Sequence, residues 1–530
     1  GADARRAVAE YRPRRPGAMT SWTREGWDRL LGFTVLACAV FGAAAVAYLA
    51  VTTELSFIDD ISVATEEAGR RGLALFVDAL FSADPERYRW FWRLERNIAW
   101  GVLGDAPGLH HLWMLAFRVG IAVSAFTVTR LLTVDSPGWA AWASALVGFF
   151  YPVVPEARLG LQEPLLSLLL LLSLVVFGRL VREVSSGGSS TTTIAGALLL
   201  FLALAGSKET GFIYAVAAAV ALGILLWRGT VPRNRRSLAL LTGVTVIVLH
   251  SSWRVYLILG SGGYAAQQAG AGGRSDDLLH KVGEILSVLT LSESLRTWLV
   301  VLFCLVIVAG IGRVALLAVR PSDERRAVAL LMVLSYLVTL AALLQVRFAL
   351  RYMEPLVWLH SVAFGIGIAQ WTRRLRQRLA RPVIAVGTAV LLTAMYPSFF
   401  HTFAAQKAAR EIEADVRRFV ETHPDHDRLH LYGVDDRFGW DYDRLTEAAT
   451  ALDTYLREYR PLYQDREPIT LPSVTALNER ARSGDEVLGL SRSAHVEEYT
   501  PSSCGLTEVR TFESTAASYL SATFQGMRRW

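Results

Sequence analysis

Asp59 and Asp60 stand side by side in FIDDISVAT, a few residues after the apolar run LLGFTVLACAVFGAAAVAYLAV. A carboxylate beside a bilayer is costly to bury and useful as a general base or a cation ligand. Adjacent carboxylates can also hold Mg²⁺ or Mn²⁺ together with water and phosphate oxygens. A second reading stands beside these. ISVATEEAGRRG has helical character, and Asp is a good helix N-cap. On spacing alone, capping is the simpler of the two.

Other charged residues fall at comparable places. The stretch ERYRWFWRLERNIAWGVLGDAPGLHH carries Arg87, Arg89, Arg93 and Arg96 among Trp90, Trp92 and Trp100, and it ends on His110 and His111. It reads as an amphipathic helix lying along a membrane, with its arginines near lipid phosphates. FYPVVPEARLGLQEPLL holds Glu156 and Arg158, and Gln162 and Glu163 open the next apolar run. Glu163 is a functional candidate by its place at the mouth of a span. It is equally suited to favour a helix dipole. AGSKETGFIY supplies Lys208 and Glu209, and QVRFALRYMEP supplies Arg347, Arg351, Tyr352 and Glu354. Arginine recognises phosphate in a bidentate manner, and Arg and Tyr also anchor span ends at an interface. Acids combined with phosphate-binding cations suit attack at a sugar carbon with a phosphate leaving group.

The elements that must position these residues are membrane spans. The chain has 530 residues, of which 52% are hydrophobic. Apolar runs of about 20 residues, the bilayer-spanning length, recur along it. They fall at 29–53, 111–132, 138–155, 163–182, 192–207, 210–228, 237–259, 298–319, 327–346, 354–371 and 382–399. The fold class expected is an all-α polytopic membrane protein of about eleven spans. The first run is too long for a signal peptide and reads as a retained span. With that count, the arginines at 5–15, 179–182, 228–236, 320–326 and 373–381 fall on one side, which the positive-inside rule makes cytoplasmic. Residues 1–28 are then a cytoplasmic basic tail. The opposite, extracytoplasmic side receives loop 54–110, loop 260–297 and the region 400–530. GSGGYAAQQAGAGGRSDD reads as a mobile segment. RLHLYGV and DEVLGLS read as strands and DYDRLTEAATALDTYLREY as an amphipathic helix, so 400–530 is expected to be a small extracytoplasmic α/β domain. Its RFGWDYD stretch is polar and aromatic, as a sugar-binding surface is, although ordinary domain surface and core is the simpler reading.

The net charge of +6 comes from arginines between apolar runs and does not point to nucleic acid. Cys38, Cys304 and Cys504 form no disulfide framework and no metal spacing.

Taken in order, these motifs resemble the GT-C superfamily of polytopic glycosyltransferases that use polyprenyl-phosphate-linked sugars. The likeness is to the protein O-mannosyltransferase-like branch, including its tetratricopeptide-containing members. It rests on the acid pair after the first span, RYRWFWRL…GDAPGLHHLWMLAFR, YPVVPEARLGLQEPLL, SKETG and ALRYMEP, and it covers about residues 1–400. Tyr151 stands where that pattern has His, Trp90 where it has Pro, and no tetratricopeptide array follows. The resemblance implies inverting transfer at the extracytoplasmic face, from a lipid-linked sugar to a glycan or protein acceptor. Asp60 or Asp59 would be the catalytic base. Arg351, Tyr352, Lys208, Glu209 and Arg89 would form the donor site, with Glu156, Arg158, Glu163, His110 and His111 as further candidates. Some relatives use a divalent metal and others none. A lipid-linked polysaccharide ligase or polymerase is the nearest alternative, and a transporter or flippase the main non-enzyme one. A transporter would favour ionisable residues near the bilayer midplane.

Overall fold

The computed structural model describes residues 89–103, 106–133, 138–151, 162–186, 191–260, 275–292, 295–320, 325–345, 350–374 and 386–395. It also describes scattered positions between 37 and 48, residues 399, 418 and 422, and strand residues 429–433, 470–471 and 486–490. In chain order the helices are α1 (Trp90–Leu103), α2 (Pro107–Leu132), α3 (Gly138–Phe149), α4 (Glu163–Ser185), α5 (Thr191–Ala205) and α6 (Phe212–Trp227). There follow α7 (Arg235–Gly260), α8 (Ser275–Thr290), α9 (Thr297–Val319), α10 (Arg326–Gln345), α11 (Glu354–Arg374) and α12 (Val386–Met395).

Among the described residues before position 400, the protein is an all-α, multi-pass membrane protein. Helices α2, α4, α7, α9 and α10 are long and apolar enough to cross a bilayer, while α3, α5, α6 and α12 are shorter apolar helices. In lipid, a spanning segment must satisfy its backbone internally, which a helix does. Prolines mark several boundaries. Pro107 and Pro164 lie in the first turns of α2 and α4, where a missing N–H costs nothing. Helix α3 ends at Phe149, short of the expected 155, with Pro152 close behind. The stretch expected to be mobile begins and ends in helix: Gly260 closes α7, and Ser275–Asp277 open α8. Ser and Asp suit a helix's first turn. Residues 261–274 lie outside the described residues.

Helix α11 is the hub of the bundle. Leu356, Val357, Trp358, Leu359, Val362 and Ala363 are wholly buried, and α11 packs against α9, α3, α2 and α4. Its crossing with α9 depends on two glycines. A Cβ on Gly310 would collide with the carbonyl of Ala363, and one on Gly367 with the carbonyl of Val306. Small residues let spanning helices bring their backbones close, which is where van der Waals contact replaces the missing hydrophobic drive.

The two ends of the bundle differ in chemistry. At one end Arg326, only 1% exposed, donates to Thr230 Oγ1 at 2.7 Å and to the Ala318 carbonyl at 3.1 Å. Arg228, Arg233, Arg235, Arg236 and Arg320 lie in the adjoining turns and helix ends. The other end carries the acids and cations described below.

In the C-terminal region, β1 (Leu429–Gly433), β2 (Thr470–Leu471) and β3 (Glu486–Leu490) form a parallel sheet in the order β2-β1-β3. The expected strands RLHLYGV and DEVLGLS contain β1 and β3. The short β2 was not anticipated, since two paired residues leave no alternation to read. The expected helix at 441–459 and the RFGWDYD stretch lie outside the described residues.

Gly367→Ala should lower stability by about 1–3 kcal/mol, because the new Cβ forces α9 and α11 apart. Gly223→Ala, where nothing approaches within 4 Å, should leave it nearly unchanged. Thermal unfolding of the detergent-solubilised protein measures both. Equal midpoints for the two variants would refute the close crossing.

Candidate functional site

Four segments far apart in sequence meet at one end of the bundle. Helix α4 opens on Glu163-Pro164 and α11 on Glu354-Pro355, so each presents a carboxylate in its first turn, where the helix dipole favours it. The turn between α5 and α6 contributes Lys208 and Glu209, and a 3₁₀ turn (Leu350–Met353) contributes Tyr352. Arg89 arrives on the residue before α1.

Their pairings are specific. Lys208 Nζ donates to Glu163 Oε1, with the two side chains 8% and 1% exposed. The same ammonium lies 4.0 Å from the centre of the Tyr352 ring, a cation–π contact. Arg89 Nε donates to Glu209 Oε1 at 2.7 Å, with exposures of 13% and 17%. Burial alone would pull the Arg89 pKa down. Glu209, together with Glu163 and Tyr352, instead holds the guanidinium above its ordinary value. Lys208 therefore bonds to Glu163, 45 residues away, rather than to its neighbour Glu209.

Helix α1 is clamped at both ends. At its start, the Phe91 amide donates to the Gly206 carbonyl at 2.9 Å, and the Trp90 indole covers Gly206, where any Cβ would collide with it. Farther along, Glu95 accepts from Arg96 Nε at 2.6 Å and from Trp113 Nε1 of α2 at 2.5 Å. Arg96 Nη2 also reaches Met114 Sδ at 3.5 Å. The His110 ring lies 4.0 Å from that of Trp100, and both His110 and His111 are buried in the first turns of α2.

This corrects the expected orientation of α1. Trp90 and Trp92 face the protein, and Arg96 is wholly buried beside Glu95 rather than meeting lipid phosphate. The outward residues are Ile98 and Val102, at 52% and 77% exposure. The indoles gain more by packing on Gly206 and α2, and Glu95 compensates the guanidinium that this buries.

Of the residues singled out in the sequence, Arg89, Glu163, Lys208, Glu209 and Tyr352 are brought together. His110 instead joins α2 to α1 through Trp100, and His111 is buried next to it in α2. The backbone of Arg351 lies in the 3₁₀ turn beside Tyr352; its side chain, and all of Asp59, Asp60, Glu156, Arg158 and Arg347, lie outside what is described. Among the described residues no three His, Cys, Asp or Glu side chains gather as a metal-binding group.

Arg118 escaped the sequence reading. Within span α2, it donates from Nη2 to the Phe149 carbonyl at 2.7 Å and lies 5.1 and 4.9 Å from the ring centres of Phe149 and Phe399. Glu354 is the carboxylate whose charge acts on it. An arginine inside an apolar run was the signal. Tyr151, which departs from the resembled motif, donates to the carbonyls of Val288 and Leu289 at 2.9 and 3.0 Å and so fastens α8 to the bundle.

No protein-family model matches the chain, and no curated protein does. Among the solved structures that align with it are several of an oligosaccharyltransferase from Archaeoglobus fulgidus. One holds an inhibitory peptide and a dolichol-phosphate; it is 13% identical, with TM-score 0.45, covering 83% of this chain and 61% of that one. Another, tethered to an acceptor peptide, is 15% identical, with TM-score 0.46 and coverages of 86% and 61%. The apo form is 13% identical, with TM-score 0.46 and coverages of 92% and 68%. The chain thus spans about three fifths of the length of the first two.

Removing one ion of a buried pair strands the other, at a cost of about 3–5 kcal/mol. Lys208→Met should therefore destabilise the protein strongly, and adding Glu163→Gln should recover much of the loss. A double-mutant cycle on unfolding free energy reads the coupling, and strictly additive losses would mean that the two side chains do not interact.

Proposed function

We propose that this protein is an integral-membrane glycosyltransferase that moves a sugar from a polyprenyl-phosphate donor to a glycan or protein acceptor at the extracytoplasmic face. The observation that supports this most is the meeting of Arg89, Glu163, Lys208, Glu209 and Tyr352 at one end of the bundle. That end holds the turn carrying Arg351. It also receives the end of the loop that carries Asp59 and Asp60. The arginine-rich turns lie at the opposite end, so the positive-inside rule puts the site end outside.

The pairings divide the work among the cations. Lys208 and Arg89 are each committed to a carboxylate, so a phosphate would have to displace an acid to use them. They position the turn and the first loop. Arg351, one residue before the Tyr352 ring that Lys208 covers, is the cation assigned to the donor phosphate. In the reaction, Asp60 or Asp59 takes the proton of the acceptor hydroxyl. The acceptor oxygen bonds to the anomeric carbon from the face opposite the leaving group, which inverts the configuration. The carbon–oxygen bond to phosphate breaks, and its electron pair leaves on the phosphate, where Arg351 stabilises the added charge. Should a divalent ion take part, Asp59 and Asp60 are the residues that would hold it, and it would lend the phosphate positive charge.

Asp→Asn at the true base should cut turnover by about 10²–10⁴-fold while leaving donor binding intact. Asn caps a helix nearly as well as Asp, so near-full turnover in both single variants would leave Asp59 and Asp60 as caps and the base elsewhere. Transfer from a lipid-linked sugar is the assay.

Arg351→Ala should weaken donor binding by about 1.5–3 kcal/mol through loss of a charged hydrogen bond. Arg351→Lys should rescue only part, lacking the planar fork. Unchanged donor affinity in a folded Arg351→Ala protein would remove this residue from the site.

A further inference from the structure

Helix α8 presents three different edges. Leu279 and Leu286, 80% and 53% exposed, share the outermost one. His280 and Glu284 pair at 3.4 Å along a polar one. Lys281, Ile285 and Leu289, at i, i+4 and i+8, form the third, and all three are buried. That third edge is turned toward the bundle. The helix packs against α9 and α10, and Tyr151 holds the carbonyls of Val288 and Leu289 at its far end. A helix with an apolar outer edge and a separate charged one lies in the plane of a membrane interface.

Lying in such an interface, the helix would carry Lys281 at lipid-headgroup depth on its inner side. The residue is 6% exposed. Among the described residues it has no hydrogen bond, ion pair or ring contact. Its stem is covered, yet its ammonium is not among the fully enclosed polar atoms. Glu284, three residues on, is taken up by His280. The bundle's other buried lysine, Lys208, is neutralised by Glu163. The ammonium thus keeps an opening to the exterior with no carboxylate paired to it among the described residues, and an anion brought there gains a charge-assisted hydrogen bond.

We infer that Lys281 is the phosphate-binding residue of a lateral port through which a phosphate-bearing membrane lipid approaches the bundle. The ammonium takes the phosphate at the inner side of the helix, and the hydrocarbon chain stays in the surrounding lipid. This deepens the glycosyltransferase reading by giving the donor lipid a docking point, and it rests on that reading only for which lipid is bound.

Native mass spectrometry of the full chain in detergent tests it, with a polyprenyl phosphate, the polyprenol of the same chain, phosphatidylglycerol and inorganic phosphate as probes. The wild type should prefer the polyprenyl phosphate to the alcohol. Lys281→Gln should weaken the phosphate lipid by about ten- to a hundredfold and leave the alcohol unchanged, while Lys281→Arg keeps the preference. If the Lys281-dependent preference appears with phosphatidylglycerol and not with the polyprenyl phosphate, the port stands and the donor assignment falls. The inference is overturned if a Lys281→Gln protein of unchanged thermal midpoint still prefers phosphate lipid to alcohol. It is also overturned if inorganic phosphate binds as tightly as the lipid.

Discussion

A charge inside a membrane bundle has little water to lean on, so each buried ion needs a partner supplied by the chain. The site end is organised around that requirement. Glu163 is almost fully enclosed at the start of α4, and Lys208 is the cation that makes this tolerable. Their bond ties α4 to the turn between α5 and α6, and Tyr352 extends the tie to the entry of α11. Arg89 and Glu209 add the segment that opens α1. Such a pair is seldom worth more than apolar residues of the same volume, because desolvation offsets attraction. What it contributes is a single permitted arrangement of four segments.

The same requirement explains the two flanking helices. Helix α1 carries Glu95 and Arg96 into the protein as a neutral unit, and Trp113 completes the carboxylate's hydrogen bonding. Helix α8 is fastened by a neutral phenol to two backbone carbonyls instead. One helix is bound by charge and aromatic packing at both ends, and the other chiefly at one.

Much of this was legible in the sequence, and the limits are physical. Apolar run length located the helices but not all their ends: α2 begins at Pro107 rather than 111, and α3 stops at Phe149, ahead of Pro152, rather than at 155, because proline acts on the backbone locally. That Arg89, Glu163, Lys208, Glu209 and Tyr352 share one end followed from counting spans. Which acid pairs with which base did not follow, since Lys208 bypasses its neighbour for a residue 45 positions away. The orientation of α1 was misread for a related reason. Trp and Arg suit both a lipid interface and a buried contact, and only the presence of Gly206 and Glu95 across from them decides. Arg118 was signalled by its place inside an apolar run, whereas Lys281 becomes conspicuous only once burial is known.

The enclosure of α11 bears on how the protein is made. Although 21 residues long, this helix is not among those apolar enough to cross a bilayer by themselves. It opens with a glutamate, carries His360 and Gln370, and closes on two arginines. Its burial on all sides removes the need to please lipid. During synthesis, however, it emerges before α12 and must partition without a complete shell around it. Its biogenesis therefore depends on α2, α3, α4 and α9 already waiting in the membrane, with the Gly310 face of α9 as the docking surface. The isolated α11 segment, placed in a host protein and presented to the insertion machinery, should be left out of the bilayer far more often than α9.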